Sequence, residues 1–194
     1  NVTTVDASAN TGGLTLSAAP GATVLSITGS SAADTLSAIG AGTTTLSMGA
    51  GNDTVDFDGN WTGADTYDGG DGTDTLILGA AIASETILGG VSNIETIKIT
   101  SATGTTLNAN VSATIFDLSD TDGQTLTLNA GYTDAVTVYL TTTAESDTTN
   151  TDSVVNGGGT TLANTTLTVI GEADAFDAGT SLTGGTGTDT LQIS

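Results

Sequence analysis

Pairs of apolar residues separated by a single residue recur along this chain with turn-forming residues between them, some of them about ten residues apart. They are Leu14 and Leu16, Leu25 and Ile27, Leu46 and Met48, Val55 and Phe57, and Leu76 and Leu78. Further on come Ile97 and Ile99, Leu126 and Leu128, Val136 and Val138, Leu167 and Val169, and Leu191 and Ile193. Alternation by two is the mark of a strand with one face inward, and these strands are very short. Similar steps run from Leu36 to Leu46 and Val55, and from Ile97 through Leu107, Phe116 and Leu126 to Val136. Two such strands make a coil of roughly twenty residues, within the range of repeat that signals a solenoid. The expected fold is all-β, a parallel β-solenoid of the β-roll or β-helix kind.

The rest of the composition fits that fold. Threonine, about a fifth of the chain, suits exposed strand positions because β-branching favours the pleat. The 27 glycines suit tight turns that need positive φ, and the single proline leaves the ladders unbroken. Two stretches interrupt the rhythm: residues 141–159, read as a surface loop or bulged insertion, and residues 79–90, read as a joint between solenoid segments. The expected organisation is a β-roll segment over 1–80 and a second solenoid segment over 81–194, in one continuous body that is a piece of a longer protein.

There are 22 carboxylates against one cationic side chain, Lys98, giving a formal charge of −21. Self-repulsion on that scale destabilises a compact state unless cations neutralise it. Nucleic acid is excluded as a partner, because binding phosphate needs the Lys and Arg this chain lacks. No apolar run is long enough for direct membrane insertion. Without cysteine, cross-linking has to come from ions and not from disulfides.

The acids are not scattered. Asp34, Asp53 and Asp74 follow turn sequences and each stands two residues before a Leu or Val that enters the core, in SSAADTL, GAGNDTV and GDGTDTL. Their spacings, 53 − 34 = 19 and 74 − 53 = 21, match one coil, so all three stack on one edge. Asp65, 12 residues after Asp53, falls on the opposite edge (65 − 53 = 12). Ca²⁺ is a hard ion that takes six to eight oxygens, more than one short turn supplies. Glycine turns expose carbonyls, the following Asp adds a carboxylate, and two successive coils complete the shell. The absence of His and Cys removes the ligands that zinc or copper prefer, and Mg²⁺ demands a strict octahedron.

Two segments, GGDGTDTLI at Gly69 to Ile77 and GGTGTDTLQ at Gly184 to Gln192, fit the pattern G-G-x-G-x-D-x-U-x with U large and apolar. They resemble repeats of the RTX family, calcium-dependent parallel β-rolls, and SNIETIKIT at Ser92 to Thr100 resembles segments of Gram-negative surface-layer proteins of the Caulobacter type. The resemblance implies type I export, folding on meeting extracellular calcium, and a place in a cell-surface lattice. The candidate calcium ligands are Asp34, Asp53, Asp65, Asp71, Asp74, Asp174 and Asp189, with turn residues Gly49, Gly51, Gly70, Gly72, Gly185 and Gly187. The pattern decays at Ser31 to Asp34, where Ser and Ala replace glycines, and at Gly171 to Asp177, which keeps only the Asp spacing. About a hundred residues between the two islands carry no nonapeptide, so most of the solenoid holds together without calcium.

Other residues read more plainly. Asp56, Asp58, Asp68 and Asp177 are solvated or stand behind the ligands, the run Asp117, Asp120, Asp122 is a surface turn, and Trp61 covers the side of the roll. The expected function is structural: a calcium-stabilised segment of an extracellular surface-layer lattice whose partners are copies of itself, with cell-surface polysaccharide as a further partner. The alternative is an adhesin or carbohydrate-binding module of a secreted protein. An enzyme is not expected, because a lyase needs a cation beside its base and only Lys98 is available. Ice binding would need Thr-x-Thr in register at every coil, and the pairs at Thr43 and Thr45, Thr125 and Thr127, and Thr166 and Thr168 are too few.

Overall fold

The computed structural model describes residues 3–17, 24–37, 39–80, 88–100, 105–107, 111–118, 125–128, 134–140, 154–156, 166–171, 181–183 and 187–193. It divides into two compact units. No α-helix occurs among the described residues, and every strand pairing for which a register is defined is parallel.

The first unit is a parallel β-solenoid of about five turns. One sheet runs β1 (Thr4–Asp6), β3 (Val24–Thr28), β5 (Thr43–Ser47), β7 (Thr66–Asp68) and β9 (Val91–Ser92). The other runs β2 (Thr15–Ser17), β4 (Thr35–Ser37), β6 (Thr54–Asp56), β8 (Thr75–Leu78) and β10 (Thr96–Ile99). The chain therefore alternates between sheets, one strand in each per coil, as the apolar rhythm requires. The unit runs past residue 80, taking in 86–97 and 111–113, because β9 and β10 lie back on β7 and β8. Of the 79–90 stretch, residues 81–87 lie outside the described residues.

Register makes the core. Leu36, Val55 and Leu76 align in one sheet and Ile27, Leu46, Tyr67 and Val91 in the other, each 5% exposed or less. Full burial of each such side chain stabilises the fold by roughly 1.5–3 kcal/mol. On the outward face Thr15, Thr35, Thr54 and Thr75 form a column, and Ser17 and Ser37 align beside it. In the next coils Asp56 stands opposite Ile77, so no paired Thr-x-Thr array develops.

The second unit repeats the plan. Its sheets are β11 (Thr105–Leu107), β13 (Thr125–Leu128), β15 (Val154–Asn156) and β17 (Ser181–Thr183), and β12 (Ile115–Leu118), β14 (Val136–Leu140), β16 (Leu167–Gly171) and β18 (Thr190–Ile193). Two readings are corrected here. Strand β15 lies inside the stretch read as a loop, where adjacent β-branched valines Val154 and Val155 favour the pleat and pair with β13 and β17. Asp117 is not in a turn: it sits in β12 between buried Phe116 and Leu118, faces outward, and meets Lys98 Nζ at 3.6 Å. Asp120 and Asp122 lie outside the described residues.

Candidate metal centre

The acidic edge of the first unit is built by the turns that enter β4, β6 and β8. Asp34, Asp53 and Asp74 each immediately precede the aligned threonines Thr35, Thr54 and Thr75, and so stack one coil apart, about 4.8 Å by the usual strand spacing. All three are fully buried. Their carboxylates turn inward and close a ladder along the solenoid. The backbone N–H of Leu14 donates to Asp34 Oδ1 at 2.6 Å, that of Asp34 to Asp53 Oδ1 at 2.7 Å, and that of Asp53 to Asp74 Oδ1 at 2.8 Å. The Asp74 N–H then donates to Glu95 Oε2 at 2.8 Å.

Glu95 is a member the sequence reading passed over. The signal was there: its offset, 95 − 74 = 21, is the ladder spacing, and Glu95-Thr96-Ile97 repeats the acid-Thr-apolar order of Asp74-Thr75-Leu76. Beyond it the ladder ends on a neutral group, since Ser112 Oγ accepts the Ile94 N–H at 3.2 Å and donates to the Ile94 carbonyl at 3.1 Å. In the second unit Asp189 makes the same contact, accepting the Leu167 N–H at 3.1 Å, although its side chain is exposed. Asp174 and Gly185 lie outside the described residues, and Gly187 is half-buried in the turn before Asp189.

The second oxygen of each carboxylate separates the sites. Asp34 Oδ2 accepts the Ser30 N–H at 2.7 Å, and Ser30 Oγ lies 2.8 Å from Asp34 Oδ1, so the Ser-Ala turn satisfies its acid from within. Asp65, buried on the opposite edge, is satisfied likewise: Thr44 N–H donates to its Oδ1 at 2.7 Å, and Thr62 N–H and Oγ1 donate to its Oδ2 at 2.7 and 2.9 Å. In the glycine turns no protein donor reaches that oxygen. Asp53 Oδ2 and Asp74 Oδ2 are buried without a hydrogen-bond partner.

The turns themselves nest tightly. Gly51 N–H donates to the Asp71 carbonyl and Asp71 N–H to the Gly49 carbonyl, both at 2.9 Å. Gly49, Gly51, Gly70 and Gly72 all have φ between 97° and 150°, and a Cβ on any of them would land on backbone of the preceding coil. Asp71 contributes that backbone bridge, and its side chain is exposed. Asp58 and Asn93 also take positive φ, and Asn93 Nδ2 donates to Asp68 Oδ1 at 2.7 Å. Asp56 Oδ1 accepts the Asp58 N–H at 2.8 Å, and Trp61 is buried edge-on against Phe57 at 4.7 Å between ring centroids.

Electrostatics follow from this burial. Asp53 is pushed up to about 6, chiefly by burial and further by the charges of Asp34 and Asp74, against the lowering effect of the Asp34 N–H bond. Asp74 is raised as well, by burial first, with Glu95 and Asp68 adding like charge and the Asp53 N–H bond opposing. No group of three or more acidic side chains converges on a single point among the described residues. An ion here has to take most of its oxygens from turn carbonyls and water, which a hard cation accepts. The donor set, two bare buried carboxylate oxygens inside carbonyl-rich turns, fits such an ion.

The Ser30 clasp gives a direct prediction. Ser30→Ala removes the hydroxyl that lies against Asp34 and the Ala32 carbonyl, and is expected to destabilise the unit by about 1–2 kcal/mol. Because the clasp uses no ion, thermal melts should show the same loss in calcium and in chelator.

Fold and site together define a parallel β-solenoid braced by an inward carboxylate ladder. No family model, curated protein or solved structure matches the chain.

Proposed function

We propose that this protein is a structural segment of an extracellular surface-layer lattice, a β-solenoid whose glycine-aspartate turns bind Ca²⁺ and fix the fold outside the cell. The observation that carries the reading is the contrast between the turns. Where Ser30 and Thr62 donate a backbone N–H and a hydroxyl, both oxygens of the buried aspartate are satisfied; in the glycine turns Asp53 and Asp74 each keep a bare Oδ2. Leaving an ionised carboxylate oxygen buried and unpaired costs on the order of 1–3 kcal/mol or more. A divalent cation removes that cost and offsets part of the −21 charge.

In this reading Asp53 and Asp74 supply the carboxylate ligands, and carbonyls of the Gly49–Gly51 and Gly70–Gly72 turns, with water, complete the shell. Asp34 and Asp65 brace the roll without an ion. The resemblance of GGDGTDTLI and GGTGTDTLQ to RTX repeats, and of SNIETIKIT to surface-layer segments, supports export by a type I system and assembly with copies of the same chain. A carbohydrate-binding role would draw on exposed aromatic platforms, and Trp61 is turned into the roll, 7% exposed.

At ten to a hundred times its Kd, an ion that binds only the folded state stabilises it by roughly 1.4–2.7 kcal/mol. Far-UV circular dichroism and sedimentation of the chain in EDTA, then in millimolar Ca²⁺, test the proposal together. Calcium is expected to sharpen the β spectrum, raise the melting midpoint and drive assembly. If spectrum, melting and sedimentation are the same in both buffers, calcium has no structural role.

A further inference from the structure

Among the described residues the aromatic side chains of Phe57, Trp61, Tyr67 and Phe116 are buried, and that of Tyr139 alone is exposed, at 41%. Strand alternation sets its direction. In β14 the side chains of Val136, Val138 and Leu140 enter the core of the second unit, each 2% exposed or less, so Thr137 and Tyr139 between them point outward. The column through Thr137 continues as Thr168 and Thr190, the small hydroxyl residue used across most of this fold's outward faces. A phenol ring in the neighbouring column is the exception to be explained.

Register supplies its neighbours. Asp117 of β12 stands opposite Tyr139 on one side and Ile170 of β16 on the other, and Gln192 of β18 follows Ile170. Beyond Asp117, in β10, Lys98 brings its Nζ to 3.6 Å from Asp117 Oδ2. Both side chains of that pair keep 26% of their surface in solvent, and Gln192 is exposed. All five residues belong to the second unit. Four strand steps of about 4.8 Å make the column roughly 19 Å long. Charge and size then select what it can hold. Lys98 is the chain's single cationic side chain, and beside Asp117 it leaves this column neutral on a molecule of formal charge −21. A polyanion is repelled by that charge, and a polycation is drawn to the other acids. A second copy carries the same −21, and a stable protein interface takes about 800 Å² from each partner, far more than a strip of five side chains offers.

We propose that the outward column Lys98, Asp117, Tyr139, Ile170 and Gln192 is a binding strip for a neutral carbohydrate chain. The C–H face of a sugar ring lies on the Tyr139 ring and Ile170, an apolar platform with a polar tip. Sugar hydroxyls both donate and accept, and the strip offers each complement: Lys98 donates, Asp117 accepts, and the Gln192 amide and Tyr139 hydroxyl do both. The ion pair thereby serves two ends, keeping the strip neutral and presenting a donor beside an acceptor. None of the five is a candidate calcium ligand, so the strip stands or falls separately from the calcium reading.

The test is electrophoresis of the 194-residue chain through native gels that contain calcium and a dissolved polysaccharide. Dextran, mannan and a mixed-linkage β-glucan are the neutral probes, and alginate is the anionic one. At least one neutral polymer is expected to retard the wild type, and alginate is not. Tyr139→Ala should weaken the affinity read from the retardation roughly tenfold or more, the scale of loss when an aromatic anchor is truncated. Tyr139→Phe keeps the ring and should keep most of the retardation. Because position 139 points outward, both variants should melt within about 2 °C of wild type. Wild-type mobility unchanged by all three neutral polymers, or Tyr139→Ala retarded as strongly as wild type, would overturn the proposal. So would a sedimentation coefficient that drops in Tyr139→Ala, which would make the face a contact between copies.

Discussion

In chelator, the melting midpoint of this protein is expected to rise as pH is lowered from 7 to 5. Burial pushes Asp53 up to about 6 in the folded state from the ordinary 3.8, and Asp74 is raised in the same direction. A carboxyl raised by folding contributes stability that is complete below its unfolded pKa and is lost as pH rises through the folded one. The window therefore lies between 3.8 and about 6, with acid as the stabilising side. A shift of that size on a buried group is worth on the order of 2 kcal/mol, or roughly 5 °C in a chain of this length.

Saturating calcium should reverse the slope. Protons then compete with the ion for the same oxygens, so acid weakens the loaded protein over the window in which it strengthens the empty one. Asp53→Asn separates this from general relief of the −21 charge. The amide oxygen still accepts the Asp34 N–H, while the charge is gone. Its melting midpoint is expected above wild type in chelator at pH 7 and below wild type in calcium. Two melts with the same sign would show that the Asp53 charge is not what the ion answers.

Gly70→Ala should have the second large effect. Gly70 has φ +97°, a conformation that L side chains rarely adopt, and a Cβ there would land on the Gly49 carbonyl oxygen. Backbone on one side and a fixed turn on the other leave nothing flexible to yield. A loss of about 3 kcal/mol or more is expected, lowering the melting midpoint by roughly 6–12 °C. Gly12→Ala is the control, because a Cβ at Gly12 meets nothing within 4 Å. Similar melts for the two variants would mean that the turns are not nested as described.

The sequence carried the architecture well because solenoids write their geometry as spacing. Every apolar pair puts at least one member in a strand, with Leu14, Met48 and Phe57 just beyond the strand ends, and 19- and 21-residue steps stack Asp34, Asp53 and Asp74. Asp65 falls on the other edge for the same reason. What the spacing did not carry was what each carboxylate touches. That Asp34 and Asp65 are clasped by Ser30 and Thr62 depends on backbone and hydroxyl donors four and three residues upstream, in what look like ordinary turn residues. The 141–159 stretch hid β15 since Val154 and Val155 stand side by side and not in alternation.

The N–H-to-carboxylate ladder has a direction. Each rung takes its donor from one coil and its acceptor from the next coil along the chain: Asp34 waits for Asp53, Asp53 for Asp74, and Asp74 for Glu95. No coil in the series is finished by its own residues. Local closure is thereby deferred by one turn, and at Ile94 the waiting N–H is met by the Ser112 hydroxyl in place of an acid. The acidic edge is completed coil by coil along the chain, each rung one turn after the residue that donates to it.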